Sequence, residues 1–541
     1  MRLKLLLLVT PLFGLFLESS AQDTAELFIR VVDEKTKQPI SYATVRFGDT
    51  RQGIIANEKG DFRLPLTFKL QNRTVIISSI GFQTHTVSVG DLNENIINTI
   101  YLKTKIEELD AVLISGTRRK SKRNESKTER LSVEEIIRNA IREIPTNYPY
   151  QPHSAIAYYR DYQVVNDNYY NLNEGIVEIF DSGFNTNKLV YKDNHTALYS
   201  YDLNTEFYQD TLLLYSVYGK SKKLAGDNSA KLGIETLNEL EILNIHNPIR
   251  NFDKNTFSSV HVFKDDFIKN HDFKISRITY VENEPLYEIE FITNEESKIR
   301  YFGVGKIYIS KLNYAIHKLE YRVFDVGRDF QRVNLTTHLK NEVSLKGKET
   351  LFEVTIEYKS IGSKMYLNYM TFNNRFLLKE PNPFKLEEMS FNSNDKRFYL
   401  TFNKPLDESS IKRKRNFKLY YKKKKLVIKD VELIEENKLR VDVVSWSAGE
   451  EVNIRNVSGD QFSCKLSRIK DILGGTINKP FRLTGYQFRE FFTQEIFEDK
   501  TIESNLIYVD KTLPLSLSKL NEPSFDIAKY WMNSPLKTTN N

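Results

Sequence analysis

From His153 onward the chain repeats one pattern: extended runs with apolar or aromatic side chains at every second residue, closed by Asn, Asp or Gly. A period of two marks a strand, because successive side chains point to opposite faces of a pleated sheet. The pattern therefore commits most of the chain to sheets. Composition agrees, with 30 Tyr and 34 Phe against 2 Trp and 5 Met, since aromatic side chains fit a pleated, half-buried surface. Lys274–Val281, Leu286–Ile292, Lys306–Ser310, Tyr314–Phe324, Phe352–Tyr358 and Met365–Phe372 read as an up-and-down antiparallel series.

The first two runs carry charge inside an apolar face. Along Ala155–Val165 one face shows Ile156, Tyr158, Arg160, Tyr162 and Val164; along Tyr169–Phe180 one face shows Tyr170, Leu172, Glu174, Ile176, Glu178 and Phe180. With Asn166-Asp167-Asn168 as a three-residue hairpin loop, Val165 faces Tyr169 and Arg160 faces Glu174. A slip of one residue would send the two charges to opposite faces. Two readings follow: a buried ion pair that pins the register, whose disruption costs about 3–5 kcal/mol, or a concave site in which Arg160, Glu174, Tyr158 and Tyr162 orient a polar ligand.

The N-terminus places the chain in an export route. Arg2 and Lys4 give a basic start, Leu5 to Leu17 an apolar stretch broken by Pro11 and Gly14, and Ser19-Ser20-Ala21 a cleavage signal, so residues 1–21 read as a signal peptide. The apolar run falls short of the ~20 residues a spanning helix needs, and no later stretch supplies a span. The expected location is the periplasm or the outer membrane. Cys464 is the single cysteine; it allows no internal disulfide and reads as a small buried hydrophobe. The net charge of +7 is mild, and nucleic acid is not an expected partner there. An envelope protein, a lipid or a polysaccharide is.

Residues 26–103 alternate short apolar runs with turn chemistry, as a small β-sandwich does. VVDEKTKQPISYATV, NEKGDFRL and VIISSIGFQTHTVSV resemble the carboxypeptidase-type regulatory domain, a transthyretin-like seven-stranded sandwich; Pro39, Ala43, Val45, Gly60, Phe62, Ile80 and Gly81 carry the likeness. The resemblance implies an accessory folding or docking module and no peptidase. Residues 104–130 read as a linker, with a basic run at Arg118–Arg123. Within it Leu109–Ile114 resembles the energy-coupling box of outer-membrane nutrient receptors, with Ala111 where that motif has Glu. Next, Val133, Ile136, Ile137, Ala140, Ile141 and Ile144 have helical spacing, with a Ser132/Glu135 capping box ahead and Pro145 as a stop, predicting a helix packed on a sheet.

Residues 131–385 and 484–541 are expected to form one large antiparallel, curved sheet domain, interrupted by residues 386–483. KIYISKLNYAIHKLEY resembles the open sheet of lipoprotein-carrier-like proteins, and the frame from AIREIPTNYPYQP to NLNEGIVEIFD resembles envelope proteins of Bacteroidota type that carry the same regulatory domain in front. In the interruption, Asn403–Asp407 and Lys470–Gly475 resemble the opening and closing phrases of a bacterial Ig-like domain of S-layer type. Lys422–Lys425 is expected at an exposed hairpin tip. Phe525–Met532 is expected to form a closing helical turn.

The fold class is thus mainly β and multidomain. A search for catalytic chemistry finds no nucleophile elbow, no phosphate-binding loop and no EF-hand loop. Of 8 histidines only His317 heads a His-x-x-Glu, with Glu320, and in a strand that offset sends the two side chains to opposite faces. His317 reads as a core residue beside Leu319, Tyr321 and Val323, with no metal or cofactor implied. The expected function is binding or scaffolding in the envelope; the alternative is a hydrolase with a carboxylate pair that no motif reveals.

Overall fold

The computed structural model describes residues 26–48, 50, 52–107, 131–189, 194–210, 213, 238–257, 261–294, 296–297, 302–324, 350–379, 383–392, 395–444, 461–480 and 482–536. The expected signal peptide, the coupling-box resemblance and the basic run lie outside these residues.

Strands β1 (Glu26–Asp33), β2 (Thr44–Phe47), β3 (Gly53–Ile55), β4 (Asp61–Pro65), β5 (Thr74–Ser78), β6 (His85–Ser88) and β7 (Ile97–Leu102) form two sheets ordered β4-β1-β7 and β3-β2-β5-β6. Helix α1 (Leu66–Leu70) joins β4 to β5. Leu27, Ile29, Val31, Val45, Phe62, Leu64 and Ile77 fill the space between the sheets, so the expected sandwich forms. Gly60 sits at φ +73 with an imagined Cβ 2.6 Å from the Val31 carbonyl, which is why that turn demands glycine. The chain leaves through β8 (Ile106–Glu107), the last strand of a much larger sheet.

Helix α2 (Val133–Arg142) starts on the expected reciprocal cap: Ser132 Oγ accepts from Glu135 N at 3.2 Å and Glu135 Oε2 accepts from Ser132 N at 2.7 Å. Pro145 does not simply stop the chain, because it opens a second short helix, α3 (Ile144–Asn147), where its missing N–H is harmless. Then come β9 (His153–Val165), β10 (Asn168–Asp181), β11 (Asn194–Leu203), α4 (Glu239–Ile245), the short pair β12 (Asn255–Phe257) and β13 (His261–Val262), and α5 (Phe263–Asn270). An antiparallel meander follows in β14 (His271–Val281), β15 (Glu284–Thr293), β16 (Phe302–Ser310), β17 (Ile316–Phe324), β18 (Thr350–Ile361) and β19 (Lys364–Lys379).

Between β19 and its sheet neighbour, the chain makes β20 (Leu386–Asn392), β21 (Arg397–Phe402), α6 (Glu408–Ile411), β22 (Phe417–Tyr421), β23 (Lys424–Lys425), β24 (Ile428–Glu435), β25 (Lys438–Val443) and β26 (Phe462–Leu466). These form sheets β20-β21-β25-β24 and β23-β22-β26 around Phe398, Leu400, Leu419, Leu439 and Val441. Lys422 and Lys423 take φ of 44° and 67° at the exposed tip, as expected of that hairpin. Cys464 is half-buried opposite Leu419, and burial pushes its thiol up to about 12. Strand β27 (Arg482–Glu498) then slots between β19 and β9, giving an eleven-stranded sheet ordered β11-β10-β9-β27-β19-β18-β17-β16-β15-β14-β8.

The sheet is covered at its centre on both faces. On one face α2, α4 and α5 bury Ile137, Leu240, Leu243 and Phe267 against Ala157, Tyr159, Phe291, Ile307 and Phe491. On the other, Tyr42 of the N-terminal sandwich stacks on Tyr369 at 5.3 Å, and Ile55 joins Ile156, Tyr158, Ile176 and Phe492. The C-terminal chain runs beneath the sandwich as a strap, with a single 3-10 turn at Ile527–Lys529 where a closing helical turn is expected. The expected open concave surface is therefore occupied, because two helices absent from the sequence expectation, α4 and α5, fill one side.

Candidate functional site

The β9–β10 register puts Arg160 opposite Glu174, as expected. It does so by two offsetting departures. The loop has two residues, Asn166 and Asp167, both with positive φ (50° and 64°), and Asn168 pairs Val165; such a turn matches strand twist better than a longer loop. A bulge between Tyr170 and Asn173, with Asn171 at φ 49°, then restores the missing residue. The bulge also turns Tyr170 to the opposite face from Leu172: Tyr170 packs with Val165, Leu473 and Phe376, while Leu172 packs with Tyr162 and Phe488.

Facing Glu174 does not pair Arg160 with it. The guanidinium goes the other way, and Nε donates to Glu490 Oε2 of β27 at 2.5 Å, with both side chains at 1% exposure or less. Nη1 donates to the Asn533 carbonyl of the strap at 2.9 Å, and the rings of Tyr158, Tyr162 and Phe492 lie 5.1–5.7 Å from the guanidinium carbon. Tyr162 donates to Glu490 at 3.1 Å and Tyr42 of the sandwich donates to the same carboxylate at 3.3 Å. Burial works against the Arg160 charge, but Glu490, Tyr158 and Tyr162 outweigh it and hold the guanidinium above its ordinary range. Burial and the adjoining carboxylates push the hydroxyls of Tyr158, Tyr162 and Tyr42 well up, so they remain donors.

Glu174 has a separate shell. It accepts from Tyr158 at 2.6 Å, Asn204 at 2.7 Å and Ser534 at 2.8 Å. Asn533 ties the strap to the sandwich: Nδ2 donates to the Ile55 carbonyl at 2.9 Å and Oδ1 accepts from Arg63 N at 2.9 Å. Trp531 stacks on Phe47 at 4.7 Å and meets Phe68 edge-on at 5.4 Å. Arg160, Glu174, Tyr158 and Tyr162 lie together, and the groups that meet them are protein groups from four separate stretches of chain, at Tyr42, Asn204, Glu490 and Asn533–Ser534. Glu490, Asn533 and Ser534 were not foreseen, because no local signal links them to a hairpin more than 300 residues earlier (Arg160 and Glu490 are 330 apart).

The opposite face holds a second polar cluster. Asp161 accepts from Tyr201 at 2.8 Å and Asn173 at 3.3 Å, and Arg489 donates to Asn374 at 3.0 Å. Burial, then the nearby Glu239, raise the Asp161 carboxyl to about 7 against the pull of Arg489. His246 stacks on Phe372 at 4.2 Å and is pushed down to about 3, first by burial and then by Arg489. His317 lies with Nε2 3.5 Å from Glu284, while Glu320 pairs with Lys318 at 2.7 Å. Among the described residues no three His, Cys, Asp or Glu side chains group to hold a metal ion, and no helix is long and apolar enough to cross a membrane.

Residues 30–114 match the family model of the CarboxypepD_reg-like domain. Among solved structures, a LolA superfamily protein from Nitrosomonas europaea aligns at 10% identity over 45% of this chain and 86% of its own, with a TM-score of 0.17. A DUF1329 family protein from Desulfovibrio piger aligns at 9% identity over 45% and 86%, with a TM-score of 0.18. No curated protein matches the chain.

Proposed function

We propose that the protein is an exported, non-enzymatic binding or scaffold protein of the cell envelope, periplasmic or held at the outer membrane by a partner. In this reading residues 26–103 are a docking module, residues 386–483 a second sandwich set into the large domain of residues 131–385 and 484–541, and residues 104–130 a linker whose start pairs with β14 as β8. The observation that carries it is the Arg160 centre. Its guanidinium and carboxylates are satisfied by β9, β27, the N-terminal sandwich and the strap together, so Arg160, Glu174, Tyr158 and Tyr162 act as a lock that presents the N-terminal sandwich at a defined position on the large sheet. A buried polar network of this kind favours one arrangement only when every member is satisfied.

A carboxylate hydrolase is the second reading, favoured by Asp161, whose carboxyl near 7 is suited to general acid work. Asp161 and Glu239 are each 1% exposed, which keeps a substrate from both and leaves binding preferred. Cross-linking in envelope fractions, followed by affinity purification of the full chain, checks the assignment. The expected outcome is recovery with a partner protein, lipid or polysaccharide and no turnover of peptide or glycan libraries. A chain recovered alone that hydrolyses either library overturns it.

A further inference from the structure

Beyond Tyr530 the strap has no helix or strand of its own, and it runs in the seam between the N-terminal sandwich and the large sheet with its residues turned alternately to the two walls. Trp531, Asn533 and Pro535 meet the sandwich at Arg63 of β4. The indole N–H donates to the Arg63 carbonyl at 3.3 Å, Asn533 Oδ1 accepts from Arg63 N at 2.9 Å, and Arg63 Nη2 donates to the Pro535 carbonyl at 2.9 Å. Met532 and Ser534 meet the sheet, in the cluster of Tyr158 and Phe492 and at Glu174. β4 is an edge strand, and strap side chains rather than another strand take the Arg63 N–H and C=O. Extended peptides are recognised in this way, by an exposed strand edge with pockets for alternate side chains.

The pocket for the indole belongs to the sandwich. Trp531 lies against Phe47 and Phe68, both members of the sandwich core, so a side chain from outside the module completes that core. At the other end of the segment the fit is incomplete. Arg63 Nη1 donates to Glu26 at 2.9 Å and Nη2 to the Pro535 carbonyl, but Nε is buried with no hydrogen-bond partner among the described residues. Nε and Nη2 form one fork of the guanidinium, which suits the two oxygens of a carboxylate. The strap offers that fork a single oxygen, and a buried donor left unmet costs stability. The group is within a ligand's reach, since Pro535 already touches it.

We infer that the seam is a binding site for an extended peptide segment with tryptophan, asparagine two residues on, and a carboxylate two residues beyond that, and that residues 530–535 occupy it in cis as an imperfect stand-in. A partner segment that brings the carboxylate fills both donors of the Arg63 fork and displaces the strap. Its asparagine takes over the Arg63 N–H and the Ile55 carbonyl, which Asn533 holds in the closed chain. The inference deepens the reading of the sandwich as a docking module and rests on that reading for the partner being a protein.

Such a carboxylate comes from a chain terminus or from an acidic side chain. Fluorescence anisotropy on the full chain carrying Trp531→Ala, which empties the indole pocket, separates them with three labelled peptides. These are Lys-Tyr-Trp-Met-Asn-Ser-Pro with a free C-terminus, the same peptide amidated, and an amidated peptide with Asp in place of the Pro. Binding of the first about tenfold tighter than the amide assigns a terminus, and of the third an acidic side chain. Replacing the peptide's Trp by Ala weakens binding about thirtyfold, and Arg63→Met in the protein removes the tenfold gain while the amide still binds. If thermal melts show that Trp531→Ala does not fold, the unmodified chain decides. There the acidic peptides, carrying 5-fluorotryptophan, give a bound fluorine resonance at roughly millimolar concentration, the level at which a tethered strap competes, and the amide does not. No saturable binding, equal affinity for acid and amide, or a gain that survives Arg63→Met overturns the inference. A partner recovered from envelope fractions while these peptides fail strikes this inference and leaves the scaffold reading standing. Peptide binding by a chain that hydrolyses the libraries supports the inference and removes the non-enzymatic reading.

Discussion

Arg160 and Asp161 on β9 face Glu490 and Arg489 on β27, so two charge pairs lie back to back at the centre of one sheet. All four side chains are 1% exposed or less, yet the two faces behave differently. On the sandwich side Arg160 and Glu490 touch directly, and tyrosines and a backbone carbonyl supply the remaining hydrogen bonds. On the helix side no direct ion pair joins Asp161 to Arg489; Arg489 turns to Asn374, and Asp161 meets a second carboxylate, Glu239. Burial alone therefore does not decide whether a charge is held. Contact distance and the neighbouring groups do.

The largest effect expected from breaking this comparison is at Arg160. Arg160→Met leaves Glu490 buried without its cation and lowers unfolding free energy by about 3–5 kcal/mol in urea melts. Adding Glu490→Leu recovers much of the loss, whereas adding Glu174→Leu combines additively. Additivity with Glu490, or strong coupling to Glu174, would sink the assignment.

The helix side sharpens the contrast through pH. The Asp161 carboxyl rises from an ordinary value near 3.8 to about 7 in the fold, so the folded state holds an extra proton between those values. Its contribution is full below about pH 4 and is lost as pH climbs through 7. Asp161→Asn should therefore gain on the parent by roughly 2–4 kcal/mol between pH 4.5 and pH 7.5. A gap that stays constant or moves the opposite way contradicts the account. The smallest effect is at the rim of the lock, where Ser534→Ala removes one hydroxyl from Glu174 and costs about 1 kcal/mol, read as a small fall in melting temperature. A loss of several kcal/mol there would make Glu174, not Glu490, the dominant carboxylate.

Much of the fold was legible from local patterns. The Ser132 cap, the Lys422–Lys423 turn and the meander from His271 to Lys379 rest on neighbours in sequence, where side-chain period and turn chemistry act. The hairpin register was reached, but through a loop one residue too long and a missed bulge at Asn171, and that bulge is what puts Tyr170 on the opposite face from Leu172. Helix α4 was overlooked although Asn238, whose side chain accepts from Glu241 N, offers a capping signal before Leu240 and Leu243. The strap was foreseen as a closing turn and not as the element that seals the Arg160 centre.

What the sequence determined by itself is which face a residue occupies within an unbroken extended run, because alternation is a property of the extended chain and needs no partner; where the bulge at Asn171 breaks the run, Tyr170 changes face. Tertiary structure alone decided which carboxylate Arg160 meets. Strand order in a sheet is set by burial over the whole molecule, and β27, arriving from 330 residues away, placed Glu490 nearer the guanidinium than the hairpin placed Glu174.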